Sequence, residues 1–240
     1  MKIKRLVIAG THSGAGKTTV AIGLTAALSR GGLKTQPFKL GPDYIDTAYH
    51  TLAAGRVSRN LDDWMLPPST LRHLFCRSAR QADIALIEGV MGLYDGIGSG
   101  SQGSTAAVAK TIKAPVVLVV DTTGMSTSAA AQVLGYQRFD PDLDLRGVIL
   151  NHAYPGCHYE SMKEAIERCT GVAVLGCLPP DAEVNLPSRH LGLVPSAEMA
   201  GMPDRIDRIT RLIKDNLDLD LLMQLANHAA PLTDTAYPLK

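Results

Sequence analysis

Short, almost wholly apolar runs alternate along the chain with longer stretches whose apolar residues recur every three or four positions. The apolar runs are residues 6–9, 35–38, 84–87, 116–120, 147–150 and 172–175. Those at 84–87, 116–120 and 147–150 have almost no polar face, which predicts strands covered on both sides. Helical spacing fills 18–29, 70–80, 105–111, 126–137 and 159–168, and 204–225 reads as one or two further helices. Alternation of this kind predicts an α/β fold with a mostly parallel central sheet and helices on both faces. The expected domain is 1–228, and 229–240 reads as a tail or interdomain linker.

Composition narrows the function classes. The chain has 240 residues and a net charge of +1, which argues against nucleic-acid binding through a basic field. Only 5% of residues are aromatic, so a base-stacking surface is not expected either. The four cysteines form no C-x-x-C pair and no zinc set. Cys157 and Cys177 read as small hydrophobes. No stretch reaches the roughly 18 apolar residues of a membrane helix, and the first apolar run is too short for a signal peptide. The expectation is a reduced, cytoplasmic protein with no membrane contact. The acidic, apolar run 217–225 is expected to pack in the core or against a partner.

The sharpest chemical signal lies between the first strand and the first helix. Gly10-Thr11-His12-Ser13-Gly14-Ala15-Gly16-Lys17-Thr18-Thr19 is a phosphate-binding loop in the context such a loop requires. Small residues let its backbone N–H groups converge on phosphate oxygens. The helix N-terminus adds partial positive charge. Lys17 is placed for the terminal phosphates and Thr18 for Mg²⁺. Residues 11–19 are therefore the expected ATP-binding residues, and the fold is expected to be of the P-loop NTPase type. Gly stands at position 10 and Thr at 11, a stretched form similar to the dethiobiotin synthetase-like branch of P-loop proteins. Partition and septum-site ATPases carry a signature Lys at position 12, where this chain has His12, which either touches phosphate or caps the loop.

Charged groups cluster at the ends of neighbouring strands, where open α/β sheets bind ligands. Lys39, Asp43 and Asp46 follow the second strand; Lys39 is suited to a transferring phosphoryl group. Asp43 and Asp46 would share one face of a helical turn as metal or phosphate chemistry, or form a simple turn with an Asp cap. Glu88 closes the third strand, where a P-loop protein holds Mg²⁺. Six glycines lie between Gly89 and Gly103, around Asp95, and the run ends in Ser104-Thr105, a second potential anion site. Asn151 ends the fifth strand and suits a nucleobase edge. The absence of Asn-Lys-x-Asp there favours adenine over guanine. Arg189 is placed to grip a phosphate or carboxylate.

Four runs together resemble the synthetase domain of the cobyrinic acid a,c-diamide synthase family. They are Thr11-His-Ser-Gly-Ala-Gly-Lys-Thr18, Lys39-Leu-Gly-Pro-Asp-Tyr-Ile-Asp46, Glu88-Gly-Val-Met-Gly-Leu-Tyr-Asp95 and Leu186-Pro-Ser-Arg-His-Leu-Gly-Leu193. The resemblance extends from about residue 4 to about residue 230. It implies an ATP-dependent carbon–nitrogen ligase of cobalamin biosynthesis, in which the a and c acetates of a corrin ring are phosphorylated and then attacked by ammonia, c before a. It implies Lys17 and Lys39 as stabilisers of the phosphoryl group, and Thr18, Asp46 and Glu88 as Mg²⁺ holders. Asp43 and Asp95 would serve the substrate carboxylate or the intermediate, completing the catalytic set with the two lysines. Tyr44, Ser104, Thr105 and Arg189 are the expected substrate contacts. Glu88→Gln is expected to cost catalysis more than stability.

Family members usually continue into a glutaminase domain with a Cys nucleophile. No G-x-C-x-G turn occurs here, so that domain is expected to be absent and the ammonia to come from a separate domain or subunit. The related branch often dimerises, which makes a homodimer the expected assembly. Hydrogenobyrinic acid and nickel-sirohydrochlorin are alternative substrates for the same chemistry. A dethiobiotin-type synthetase, not expected to carry the 39–46 run, and a partition-type ATPase switch, against which His12 speaks, are the alternative functions.

Overall fold

The computed structural model describes residues 2–184 and 201–234, together with the short strands at 188–189 and 192–193. Seven strands form one parallel sheet: β1 (Arg5–Gly10), β2 (Thr35–Leu40), β3 (Arg59–Leu61), β4 (Ile84–Glu88), β5 (Val116–Asp121), β6 (Leu145–Asn151) and β7 (Ala173–Leu178). Their order is β3-β2-β4-β1-β5-β6-β7, so the strand leading into the phosphate loop lies at the centre. Strands β8 (Ser188–Arg189) and β9 (Gly192–Leu193) pair antiparallel apart from this sheet.

Period-two alternation sorts each central strand between two cores. Val7, Ala9, Ala85, Ile87, Leu118 and Val120 face one side. Leu6, Ile8, Ile84, Leu86, Val117 and Val119 face the other. The first core is closed by α3 (Pro68–Ala79), α4 (Thr105–Thr111), α5 (Ser128–Phe139) and α6 (Cys157–Thr170). The second is closed by α1 (Lys17–Arg30), α2 (Ile45–Ala54), α7 (Met202–Asn216) and α8 (Leu219–Asn227). Because both faces are covered, the strands need no polar side, which is why they read as continuous apolar runs. The expected doubly covered parallel sheet is the fold observed.

Three departures have physical reasons. Strand β3 went unread because Arg-Asn-Leu carries two exposed polar residues and a single buried one, as an edge strand does. The run Ile-Asp-Thr-Ala-Tyr-His-Thr-Leu-Ala-Ala is a full helix, α2, where only one turn had been expected. Residues 229–234 are not a loose tail. Leu232 is buried in the first core, and Asp234 pairs with His73 at 3.0 Å and Arg80 at 3.3 Å.

The terminal segment is also fixed by Arg5, which is fully buried. Its guanidinium donates to the carbonyls of Ile3 (2.8 Å), Ile112 (2.7 Å) and Lys113 (2.9 Å), and to that of Ala230. Burial pulls its pKa down to about 10.

At the β7 edge the pairing slips by one residue, so that Val148 faces Val174 and Ile149 faces Gly176. Leu175 is thereby freed to accept the Asp218 N–H at 2.8 Å, and Gly176 bridges to Leu217. The α7–α8 connection thus covers an edge that would otherwise invite pairing. Gly176 has φ +144°, and a Cβ there would lie 2.1 Å from the Asn216 carbonyl oxygen. Gly176→Ala is therefore expected to cost about 2–5 kcal/mol from strain and overpacking together. A urea denaturation midpoint equal to wild type would refute this. No helix among the described residues is long and apolar enough to cross a membrane.

Candidate functional site

A cavity of about 880 Å³ runs along the C-terminal edge of the sheet, within the usual size of a ligand site. Strand order distributes its walls. The phosphate loop after β1 is central, Lys39 and Glu88 come from β2 and β4 on one flank, and Asn151 and Leu178 end β6 and β7 on the other.

Within the loop, Ser13, Gly14, Gly16, Lys17, Thr18 and Thr19 line the cavity. Thr11, His12 and Ala15 do not; they shape the loop. The Thr11 N–H donates to Val119 O at 3.1 Å, and its carbonyl accepts from the Tyr136 hydroxyl. His12 Nδ1 lies 2.9 Å from Thr11 Oγ1, so the ring braces the loop. Ala15 is buried, and its carbonyl accepts from Asn151 Nδ2 at 3.0 Å. Gly16 has φ +98°, and a Cβ there would sit 2.3 Å from the same Asn151 amide. Only glycine meets both conditions. Asn151 thus ties the loop to β6 while lining the cavity. Lys17 is buried, which lowers its pKa despite nearby carboxylates. Its Nζ donates to His12 O at 3.0 Å.

Beside the loop lies a buried charge array. Lys39 Nζ is 2.8 Å from Glu88 Oε1 and 2.6 Å from Asp46 Oδ2. The Thr18 hydroxyl donates to Glu88 Oε1 at 2.5 Å. Lys39, Asp46 and Glu88 are all buried, so each charge depends on the others. Burial works against the Glu88 carboxylate, but Lys39 and His50 outweigh it and hold its pKa well below the usual range. Burial likewise opposes the Lys39 charge, and the two carboxylates more than compensate, raising its pKa. For Asp46, burial first and the Glu88 charge second push the carboxyl up to about 6, against the pull of Lys39. Two carboxylates share one cation.

His50 was given no role from the sequence. It is buried, and its Nε2 lies 2.6 Å from Glu88 Oε2. The signal that would have found it is its spacing four residues after Asp46, which puts both on one face of α2. This burial also revises the expectation for Glu88→Gln. With the side chain wholly enclosed among three partners, the substitution strikes stability as well as chemistry.

Other expected residues serve the scaffold. Asp43 lines the cavity, but its Oδ1 accepts the N–H groups of Ile45 (2.8 Å) and Asp46 (3.0 Å), the capping alternative. Tyr44 stands exposed at the rim. Asp95 does not line the cavity; its Oδ2 accepts the Gly92 N–H at 2.7 Å and holds the glycine-rich loop.

The expected anion site at Ser104-Thr105 is corrected by complete burial of both residues. Ser104 caps α4 by accepting from Ala107 N at 3.1 Å, and Thr105 Oγ1 clips the Val90 backbone, with both bonds at 3.0 Å. The Arg189 side chain lies outside the described residues. Cys157, read as a small hydrophobe, is exposed, whereas Cys177 is buried.

The donor set fits Mg²⁺. The Thr18 hydroxyl and the Glu88 carboxylate meet at 2.5 Å, two hard oxygen donors side by side. Among the described residues no group of three or more His, Cys, Asp or Glu is arranged to hold a metal ion. That suits an ion that takes one or two carboxylates and leaves its other positions to phosphate and water.

Comparison with known proteins agrees with this geometry. Residues 6–194 match the family described as CobQ/CobB/MinD/ParA nucleotide binding domain. The chain is 49% identical over 221 residues to the cobyrinate a,c-diamide synthase of Salmonella typhimurium, covering 92% of this chain and 48% of that protein. With the cobyrinate a,c-diamide synthase of Caldanaerobacter subterraneus subsp. tengcongensis it shares 48% over 219 residues, 91% of this chain and 48% of that one. It thus spans about half the length of the curated relatives it matches. Among solved structures, chloroplast FtsY from Physcomitrella patens superposes with a TM-score of 0.54 at 17% identity, over 87% of this chain and 66% of that one, a likeness of fold alone. Loop, flanking acid and sheet order coincide with a family match over most of the sequence, and the chain belongs to the CobQ/CobB/MinD/ParA nucleotide binding domain family.

Proposed function

We propose that this chain is the nucleotide-binding part of an ATP-dependent amide ligase acting on the acetate carboxylates of cobyrinic acid. The observation that carries the reading is the buried Lys39–Glu88–Asp46 array, which opens with Lys17 into one cavity. The curated relatives, named as cobyrinate a,c-diamide synthases, supply the substrate class.

The triphosphate lies along the phosphate loop, its base towards Asn151 and the β6–β7 flank and its γ-phosphate towards Lys17 and Lys39. A substrate carboxylate oxygen attacks the γ-phosphorus, the bond to the ADP oxygen breaks, and an acyl phosphate forms. Ammonia then attacks the acyl carbon, loses a proton, and expels inorganic phosphate to leave the amide. Lys17 and Lys39 offset charge on the transferring phosphoryl group, and no side chain forms a covalent bond. Mg²⁺, held by Thr18 and Glu88 with Asp46 nearby, supplies further charge neutralisation on the phosphates. The ammonia comes from a glutaminase domain or subunit, and two copies of the chain form the working assembly.

The test is product formation from cobyrinic acid, MgATP and either ammonium chloride or glutamine, read by mass spectrometry. Amide formed with ammonium and not with glutamine is the expected result. ATP turnover that no tetrapyrrole alters, with no amide formed, would instead favour a nucleotide switch.

A further inference from the structure

We propose that an apolar shelf formed by Trp64, Met65, Met91 and Ile97 is the docking face for the substrate's flat macrocycle. The ring would lie on the shelf while a pendant carboxylate reaches Lys39 and Lys17. The inference rests on the tetrapyrrole reading above and assigns it Trp64, Met65 and Ile97, which lie outside the four runs, together with Met91 of the third run.

These four large apolar side chains are exposed, at 61%, 68%, 41% and 49%. They gather around a second hollow of about 220 Å³. Large exposed apolar groups scattered singly need no explanation, but a contiguous set around a concavity marks a binding surface. This hollow is continuous with the reaction cavity: Leu40, Gly41, Pro42, Val90 and Met91 line both. A ligand resting there has its edge beside the strand ends that carry Lys39 and Glu88.

The shelf is built and held. Asp62 Oδ1 accepts the N–H groups of Trp64 (2.8 Å) and Met65 (3.1 Å), fixing the turn that presents both. Asp63 Oδ2 accepts the Gly103 N–H at 3.1 Å, joining this turn to the glycine-rich loop that carries Ile97. Both carboxylates are thus engaged by backbone. Met91 has φ +48°, a conformation a bulky residue keeps only where its surroundings impose it. An indole ring and two thioethers suit the face of a conjugated macrocycle. The opening into the phosphoryl-transfer cavity favours a small ligand with reactive edge groups over a second protein surface.

Trp64 is the single tryptophan of the chain, so its fluorescence reports the shelf alone. Cobyrinic acid would be titrated into the full chain with Mg²⁺ and a non-hydrolysable ATP analogue. Binding is followed by equilibrium dialysis and, in parallel, by Trp64 emission. Emission should fall with the same Kd that dialysis gives. Met65→Asp and Met91→Asp should each raise the dialysis Kd by about tenfold or more. Leu52→Asp, at a comparably exposed apolar position on α2 outside both hollows, should leave it unchanged. Circular dichroism establishes that each variant is folded; should the strained Met91 position not tolerate change, Met65→Asp decides.

Cobyrinic acid that binds without altering Trp64 emission, with an unchanged Kd in the Met65 variant, would overturn the shelf while sparing the ligase reading. A drop from dimer to monomer mass in that variant, at unchanged Kd, would overturn it too and give the face to a second copy. No binding by the wild-type chain would overturn both readings.

Discussion

Lys17→Ala is expected to abolish ATP turnover and leave the fold standing. Loss of one preorganised donor to a developing charge costs on the order of 10²–10³ in rate, and Lys17 is the loop's only cation. Stability should change little. The Lys17 ammonium is buried, with one backbone carbonyl, that of His12, as its hydrogen-bond partner, and burial already works against its charge. Removing it therefore relieves a cost and leaves no charged partner stranded. Phosphate release and a thermal melt on the same preparation separate the two effects. Wild-type turnover in the variant would mean that the reacting phosphate lies elsewhere.

Lys39→Met should behave differently, losing both chemistry and fold. Lys39 is the shared counter-charge of two buried carboxylates, Glu88 and Asp46. Removing one partner of such a buried set costs about 3–5 kcal/mol, a large share of a domain's typical net stability. The loss should be partly recovered in Lys39→Met/Asp46→Asn, because one stranded carboxylate goes with its cation. Urea midpoints of the single and double variants close the cycle. A single variant as stable as wild type, or a double variant no better than the single, would show that the array does not act as one electrostatic unit.

The sheet and the phosphate loop were legible because the interactions behind them are local and repetitive. A strand buried on both faces writes itself as an apolar run, and the loop writes itself as small residues before Lys17-Thr18. Residues whose role depends on what lies across the fold were less legible. His50 looked like any scattered histidine until α2 brought it against Glu88. Ser104 and Thr105 had the composition of an anion site, yet both are sealed inside as cap and clip. Asp95 looked like chemistry and braces its own loop. Residues 229–234 lack periodicity, and the docking of Leu232 and Asp234, with the Arg5 bond to Ala230, gives them structure. The shelf around Trp64 was invisible for a related reason: its members come from two loops, joined by one hydrogen bond between Asp63 and Gly103.

The buried guanidinium of Arg5 bears on how the chain is made as well as on how it rests. Its first acceptors lie near residues 3 and 112, but the last is 225 positions away. Arg5 belongs to the central strand and is made 225 residues before Ala230. Until then one donor of a cation destined for the interior still relies on water, and a donor buried without an acceptor is costly. The middle of the sheet therefore cannot be sealed dry while the nascent chain is short. Sealing waits for the most distant contact, so this single arginine ties closure of the core to a segment made 225 residues later.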